Sequence, residues 1–155
     1  MNYYTEQTAI GLITITEERG FITNLFFGQK VFNGKWDKKF LSEIILDAFR
    51  QLEEYFEGKR KDFNLPLNPK GTSFQQKVWS CLYSIPYGET RTYKDIAKQV
   101  GDENASRAVG NANNKNPVPI FIPCHRVIGA DGSLTGYAGG LKLKEKLLNL
   151  EKSYN

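Results

Sequence analysis

Histidine occurs once in this sequence and cysteine twice, at His125, Cys81 and Cys124. Three such residues do not complete a four-ligand zinc centre unless carboxylates join them. Residues 1–70 contain neither type, so no metal is expected. No apolar run approaches the roughly 18 residues that a membrane helix needs. The N-terminal MNYYTEQTAIG lacks the basic region followed by an apolar run that marks a signal peptide. The expectation is a cytoplasmic protein without membrane association, its thiols reduced and free of disulfides. There is no internal repeat and no low-complexity tract. Charge is also scarce: the net excess is +4. Ten Lys/Arg balance ten Asp/Glu in residues 1–70, whereas residues 71–155 hold eleven against seven. The second half therefore leans towards a polyanionic partner, although a lysine-rich solvated surface accounts for the same numbers.

What is present divides near Pro69. TAIGLITITEE alternates apolar and polar residues around Ile13 and Ile15, Gly20 interrupts, and FITNLFFG is a second β-rich run. Asn33-Gly34 adds a turn signal. From Lys38 to Glu57 the apolar residues recur at helical spacing up to the stop at Gly58. KRKDFNLPLNPKG reads as a short strand and a linker broken by Pro66, Pro69 and Gly71. Beyond it, Ser73 and Gln76 fit a capping box for a helix ending before Pro86-Tyr87-Gly88. Thr92 with Asp95 opens another helix that runs to Gly101, and Asn104 is placed to cap a third, ASRAVGNANN. The expected fold is α+β. A small N-terminal β-sheet-plus-helix domain, residues 1–69, precedes a mostly helical C-terminal domain, residues 70–155, with a helix-turn-helix.

The third helix carries small residues at Ala105, Ser106, Ala108, Gly110 and Ala112. Small side chains let a backbone approach closely, either to a neighbouring helix or to a nucleic-acid groove. Arg107 is the one long cation among them. Further on, PVPIFIPCHRVIGADG sets Cys124 beside His125. A free thiol, with a pKa of about 8.5, is only a few per cent thiolate at neutral pH and needs a base. His125 is the obvious one. In an extended strand the two side chains point to opposite faces, so contact requires a local bend or a relaying water. The imidazole also needs an orienting group. Glu145 in LKLKEKLLNLE is the best placed, while Asp131 is accounted for by the turn GADG. An inert buried thiol beside a structural histidine remains the alternative. Cys81, mid-helix in KVWSCLYSI, reads as a small core residue.

IPCHRVIG, with SRAVGNANNKNPVPIF before it and GYAGGLKLKEKLL after it, resembles the active-site region of the O6-alkylguanine-DNA alkyltransferases. The resemblance extends over residues 72–151 and includes FQQKVWSCLYSIPYGETRTYKDIA. It implies a winged-helix-like C-terminal domain that performs single-turnover, direct-reversal repair. The alkyl group of O6-alkylguanine in double-stranded DNA passes to Cys124 without a cofactor. His125 is implied as the base through water, and Glu145 matches the glutamate that polarises it. Tyr93 matches the tyrosine beside the base, which helps rotate the nucleotide out and donates a proton. Arg107 matches the finger that fills the vacated stack, on a recognition helix whose Ala105, Ser106, Ala108 and Gly110 enter the minor groove. Asn116 matches an asparagine bracing the segment before the cysteine. Pro123, Val127, Gly136, Tyr137, Ala138 and Gly139 are implied to line the alkyl pocket. The protein is expected to act as a monomer with no obligate protein partner. A lesion-binding module without transfer is the alternative, though such relatives lack the cysteine. A helix-turn-helix regulator and a cysteine hydrolase are further readings, the latter distinguished by turnover.

Overall fold

The computed structural model describes residues Met1–Asn155. The chain forms two compact units, Met1–Lys70 and Gly71–Asn155.

In the first unit, β1 (Asn2–Thr8), β2 (Gly11–Glu18) and β3 (Phe21–Phe27) form an antiparallel meander. Both tight connections use glycine with positive φ, at Gly11 and Gly20, which glycine tolerates without Cβ strain. A two-residue strand, β4 (Lys38–Lys39), pairs parallel with β1, giving the order β3-β2-β1-β4. The expected helix from Lys38 therefore starts later, as α1 (Glu43–Phe56), because Ser42 caps it through Ile45 N at 3.3 Å. Ile45, Ala48, Phe49, Leu52 and Tyr55 are buried on α1, as are Ile13, Ile15, Ile22 and Leu25 on the strands. The helix stripe at 3.6-residue spacing meets the alternating face of the sheet to make one core. The anticipated strand after Gly58 reduces to a single bridge, Leu67 to Ile22. Pro66 and Pro69 on either side supply no N–H for a longer ladder.

The second unit is mostly helical: α2 (Ser73–Tyr83), α3 (Tyr93–Val100), α4 (Ser106–Asn114) and α5 (Leu141–Tyr154). Two short strands, β5 (Arg91–Thr92) and β6 (Val127–Ile128), pair in parallel. The capping box of α2 lies one residue earlier than expected: Thr72 accepts from Gln75 N, and the Gln75 side chain accepts from Thr72 N. The box Thr92–Asp95 on α3 forms as expected, and Gly101 ends that helix in the left-handed region at φ 100°. Asn104 does not cap α4. Ala105 occupies the cap position with no side-chain bond, and the Asn104 N–H is taken by Asp102 within the turn. Cys81 is half-buried rather than a core residue.

α2, α3 and α4 pack on one another around Val78, Trp79, Leu82, Ile96, Ala97 and Val109. Trp79 ties α2 to α4: its Nε1–H donates to the Ala112 carbonyl at 2.9 Å, with only 2% of the residue exposed. Trp79→Phe removes that donor and some packing volume. The unit should lose about 2 kcal/mol, read as a lower urea midpoint with an unchanged slope.

Candidate active site and nucleic-acid interface

Cys124 and His125 do not lie in an extended strand. Cys124–Arg126 form one turn of 3-10 helix entered from Pro123, so the opposite-face rule of an extended strand does not apply to them. Cys124, His125 and Arg126 are all buried.

The chain reaches this turn under constraint. Ile120 holds φ at 74° while almost fully buried, an unusual conformation for a β-branched residue that costs on the order of 1–3 kcal/mol. Asn116 supplies the compensation. Its Nδ2–H donates to the Ile122 carbonyl at 2.8 Å, and its Oδ1 accepts from Val118 N at 3.0 Å. Both ends of one buried amide thus close the loop that presents Cys124.

The carboxylate on the imidazole is Glu151, not Glu145. His125 Nε2 lies 2.6 Å from Glu151 Oε2, both side chains almost wholly buried. Arg126 grips the same carboxylate at both oxygens, Nε to Oε1 at 2.8 Å and Nη2 to Oε2 at 3.0 Å. Its Nη1 donates to the Ile85 carbonyl at 2.7 Å, and Gly88 N donates to Glu151 Oε1 at 3.1 Å. Glu145 is exposed because six residues along a helix turn through roughly 240° of azimuth. The buried stripe of α5 is Lys144, Leu147 and Glu151. That stripe, with a charged residue at each end of a seven-residue interval, was the sequence signal that pointed past Glu145.

The electrostatics follow from burial and pairing. Burial pushes the Cys124 thiol up to about 11, although Asn116 and Lys144 pull it down. The resting sulfur is therefore a thiol. Burial also lowers the His125 imidazole, against the pull of Glu151, so the ring is neutral at pH 7. Burial alone would raise Glu151, but His125 and Arg126 outweigh it and hold its carboxyl at about 2. An ionised Glu151 accepts from a neutral ring, which places the ring proton on Nε2. Nδ1 is buried with no hydrogen-bond partner and is the nitrogen able to accept a proton.

Three further residues, none recognised from sequence, complete the site. Arg126 is one. Lys144 is fully buried, and its Nζ donates to the Thr135 carbonyl at 2.7 Å. Asn113, on α4, is 2% exposed, and its Nδ2–H reaches the Cys124 carbonyl at 3.4 Å. Tyr93 opens α3 with its ring beside Gly110 of α4 and its hydroxyl 2.8 Å from Thr135 Oγ1. Arg107 and Ala108 are exposed on α4, while Ala105, Ser106 and Gly110 are half-exposed beside them. Pro123 and Val127 are buried in the turn, Tyr137 and Gly139 are half-buried, and Gly136 and Ala138 are exposed in the glycine-rich loop before α5. No cluster of three or more His, Cys, Asp or Glu is placed to hold a metal ion, and no helix is long and apolar enough to cross a membrane.

Two family models match: the 6-O-methylguanine DNA methyltransferase ribonuclease-like domain over residues 1–69, and the DNA binding domain of the same family over 73–153. The chain is 50% identical over 160 residues to the constitutive methylated-DNA–protein-cysteine methyltransferase of Bacillus subtilis, covering 98% of this chain and 96% of that one. It is also 50% identical to the methyltransferase of Methanosarcina acetivorans, with 99% of both chains covered. Among solved structures, Mycobacterium tuberculosis OGT in complex with DNA superposes with a TM-score of 0.92 at 45% identity, over 99% of this chain and 94% of that one.

Glu151 gains its stabilising contacts only when ionised. Its contribution is therefore complete above the ordinary carboxylate range and is lost as the pH falls from about 5 towards 2. Glu151→Gln should cost on the order of 3 kcal/mol at pH 7 by leaving Arg126 buried and unpaired, and should flatten the acid limb of stability. Glu145→Gln should stay within about 0.5 kcal/mol of the parent. Urea unfolding of both variants between pH 3 and 7 checks this.

Proposed function

The chain belongs to the methylated-DNA–protein-cysteine methyltransferases, and from that premise we propose how its residues share the work. The protein is a direct-reversal DNA-repair enzyme. It moves the O6-alkyl group of guanine in double-stranded DNA to one of its own cysteines, once per molecule.

Cys124 is the acceptor. The observation that carries this is the buried thiol beside a single histidine whose far nitrogen is fixed on a buried carboxylate. The sulfur rests protonated, so transfer begins when His125 Nδ1 takes the thiol proton through a water. The thiolate attacks the alkyl carbon, the carbon–oxygen bond to guanine breaks, and the purine takes a proton from the Tyr93 hydroxyl. Acceptor, base and proton donor are all side chains, so the step as written needs no cofactor.

A guanine stacked in a duplex cannot reach a cysteine that is 4% exposed, so the nucleotide must rotate out, at a cost of a few kcal/mol. Arg107, exposed on α4 and unpaired, fills the space the base leaves. The small surface of Ala105, Ser106, Ala108 and Gly110 lets α4 sit in the minor groove, which is only about 6 Å wide. Contact there reads little sequence, which suits a lesion that can arise anywhere. Phosphate contacts supply affinity and make it salt-dependent. Residues 70–155 carry DNA binding and transfer, and residues 1–69 have a structural role. We place the enzyme in the cytoplasm, working as a monomer.

A short duplex containing O6-methylguanine, followed by intact mass and peptide mapping, tests the assignment. One methyl group on Cys124, saturating at one per protein, is expected. A bound duplex with no mass gain would favour a lesion-binding module. Arg107→Ala should slow transfer from duplex DNA at least about ten-fold more than transfer from a free O6-alkylguanine base, and Cys81→Ser should leave both rates intact. Equal slowing of the two substrates by Arg107→Ala would remove its role as a wedge.

A further inference from the structure

We propose that Thr135 is a positioning residue for Tyr93, holding its phenol in the orientation that meets the rotated guanine; this rests on the reading above, in which Tyr93 faces that base. Thr135 lies in the glycine-rich loop between β6 and α5, 42 residues from Tyr93 in sequence. Its hydroxyl is 2.8 Å from the Tyr93 hydroxyl, and its carbonyl is 3.4 Å from the same atom. That carbonyl also accepts from Lys144 Nζ at 2.7 Å. One loop residue therefore ties the start of α3 to the first turn of α5.

The two ties differ in kind. Lys144 is fully buried, and an ammonium taken from water is held firmly by the acceptor that replaces its hydration. That bond fixes the Thr135 backbone. The loop could not do this alone, since Gly129, Gly132, Gly136, Gly139 and Gly140 give it wide backbone freedom. Asn114 of α4 packs beside Gly136, where an added Cβ would lie 3.0 Å from Asn114 Oδ1. With its backbone fixed, Thr135 offers its hydroxyl to a tyrosine that is otherwise half-exposed and free to swing about its side-chain torsions. A donor held in place before the substrate arrives spends none of the binding free energy on ordering itself.

The exposure of Thr135 makes the test clean, because a substitution there should not threaten folding. Thr135→Val keeps the shape and removes the hydroxyl, while Thr135→Ser restores it. The measured quantities are the single-turnover rate of methyl transfer from duplex O6-methylguanine to Cys124, the affinity for unmodified duplex, and the urea midpoint. Thr135→Val should slow transfer about five-fold, the worth of one ordinary hydrogen bond, with Thr135→Ser within about two-fold of the parent. Affinity and midpoint should not move. In a Tyr93→Phe background the valine should slow transfer no further, since the hydroxyl it acts through is gone. Parental rates in Thr135→Val, equal slowing by valine and serine, or an undiminished effect of valine in the Tyr93→Phe background would each overturn the role. A parent protein that takes no methyl at Cys124 would instead overturn the underlying reading, and the proposal with it.

Discussion

Glu151 carries a single negative charge into the interior of the second unit and satisfies it four times over. Arg126 takes both oxygens, His125 takes one, and the Gly88 amide takes the other. Burying a carboxylate without such partners costs several kcal/mol, so these three residues and the acid must be assembled together. Arg126 extends the cluster to the Ile85 carbonyl at the end of α2. The Gly88 contact fixes the turn that leads to Tyr93. Through one residue, the last turns of α5 therefore determine where the Cys124–Arg126 turn and the start of α3 can lie. The site has little freedom to be almost correct.

Burial also quiets Cys124, the proposed acceptor. A thiol raised to about 11 scarcely ionises at neutral pH. In the proposed transfer, reactivity comes from geometry: a neutral imidazole whose Nδ1 has no hydrogen-bond partner in the protein. α4, the proposed recognition helix, is coupled to this turn by two asparagines. Asn113, on α4, holds the Cys124 carbonyl, and Asn116, just beyond it, braces the strained loop that presents the cysteine. A displacement of α4 on docking would be felt by the backbone of the nucleophile within a few bonds.

Much of this was legible in the residues. Alternation around Ile13 and Ile15 marked the meander, and the apolar stripe of α1 marked its partner, because both report which face is buried. Thr92 with Asp95, and Gly101, fixed α3 at both ends through local capping chemistry. The adjacent Cys124 and His125 marked the site, and α+β architecture followed from the order of elements. Features set by tertiary packing were not legible. Ser73 with Gln76 was read as the cap of α2, whereas the box forms one residue earlier, at Thr72 with Gln75. Glu145 was the glutamate read as the partner of His125, and the rotation of α5 buries Glu151 there instead. Arg126, Lys144 and Asn113 look like surface residues in a sequence. Each is buried where a group outside its own helix or turn satisfies it: Glu151 for Arg126, the Thr135 carbonyl for Lys144 and the Cys124 carbonyl for Asn113.

Glu151 sets the tautomer of His125 and so leaves Nδ1 free. The chain has a single histidine, so the two ring nitrogens can be observed by 15N NMR of labelled protein without ambiguity. A neutral ring at pH 7, with the proton on Nε2 and Nδ1 bare, is expected. A ring protonated at Nδ1, or an imidazolium at that pH, would overturn this, because neither leaves Nδ1 able to accept a proton.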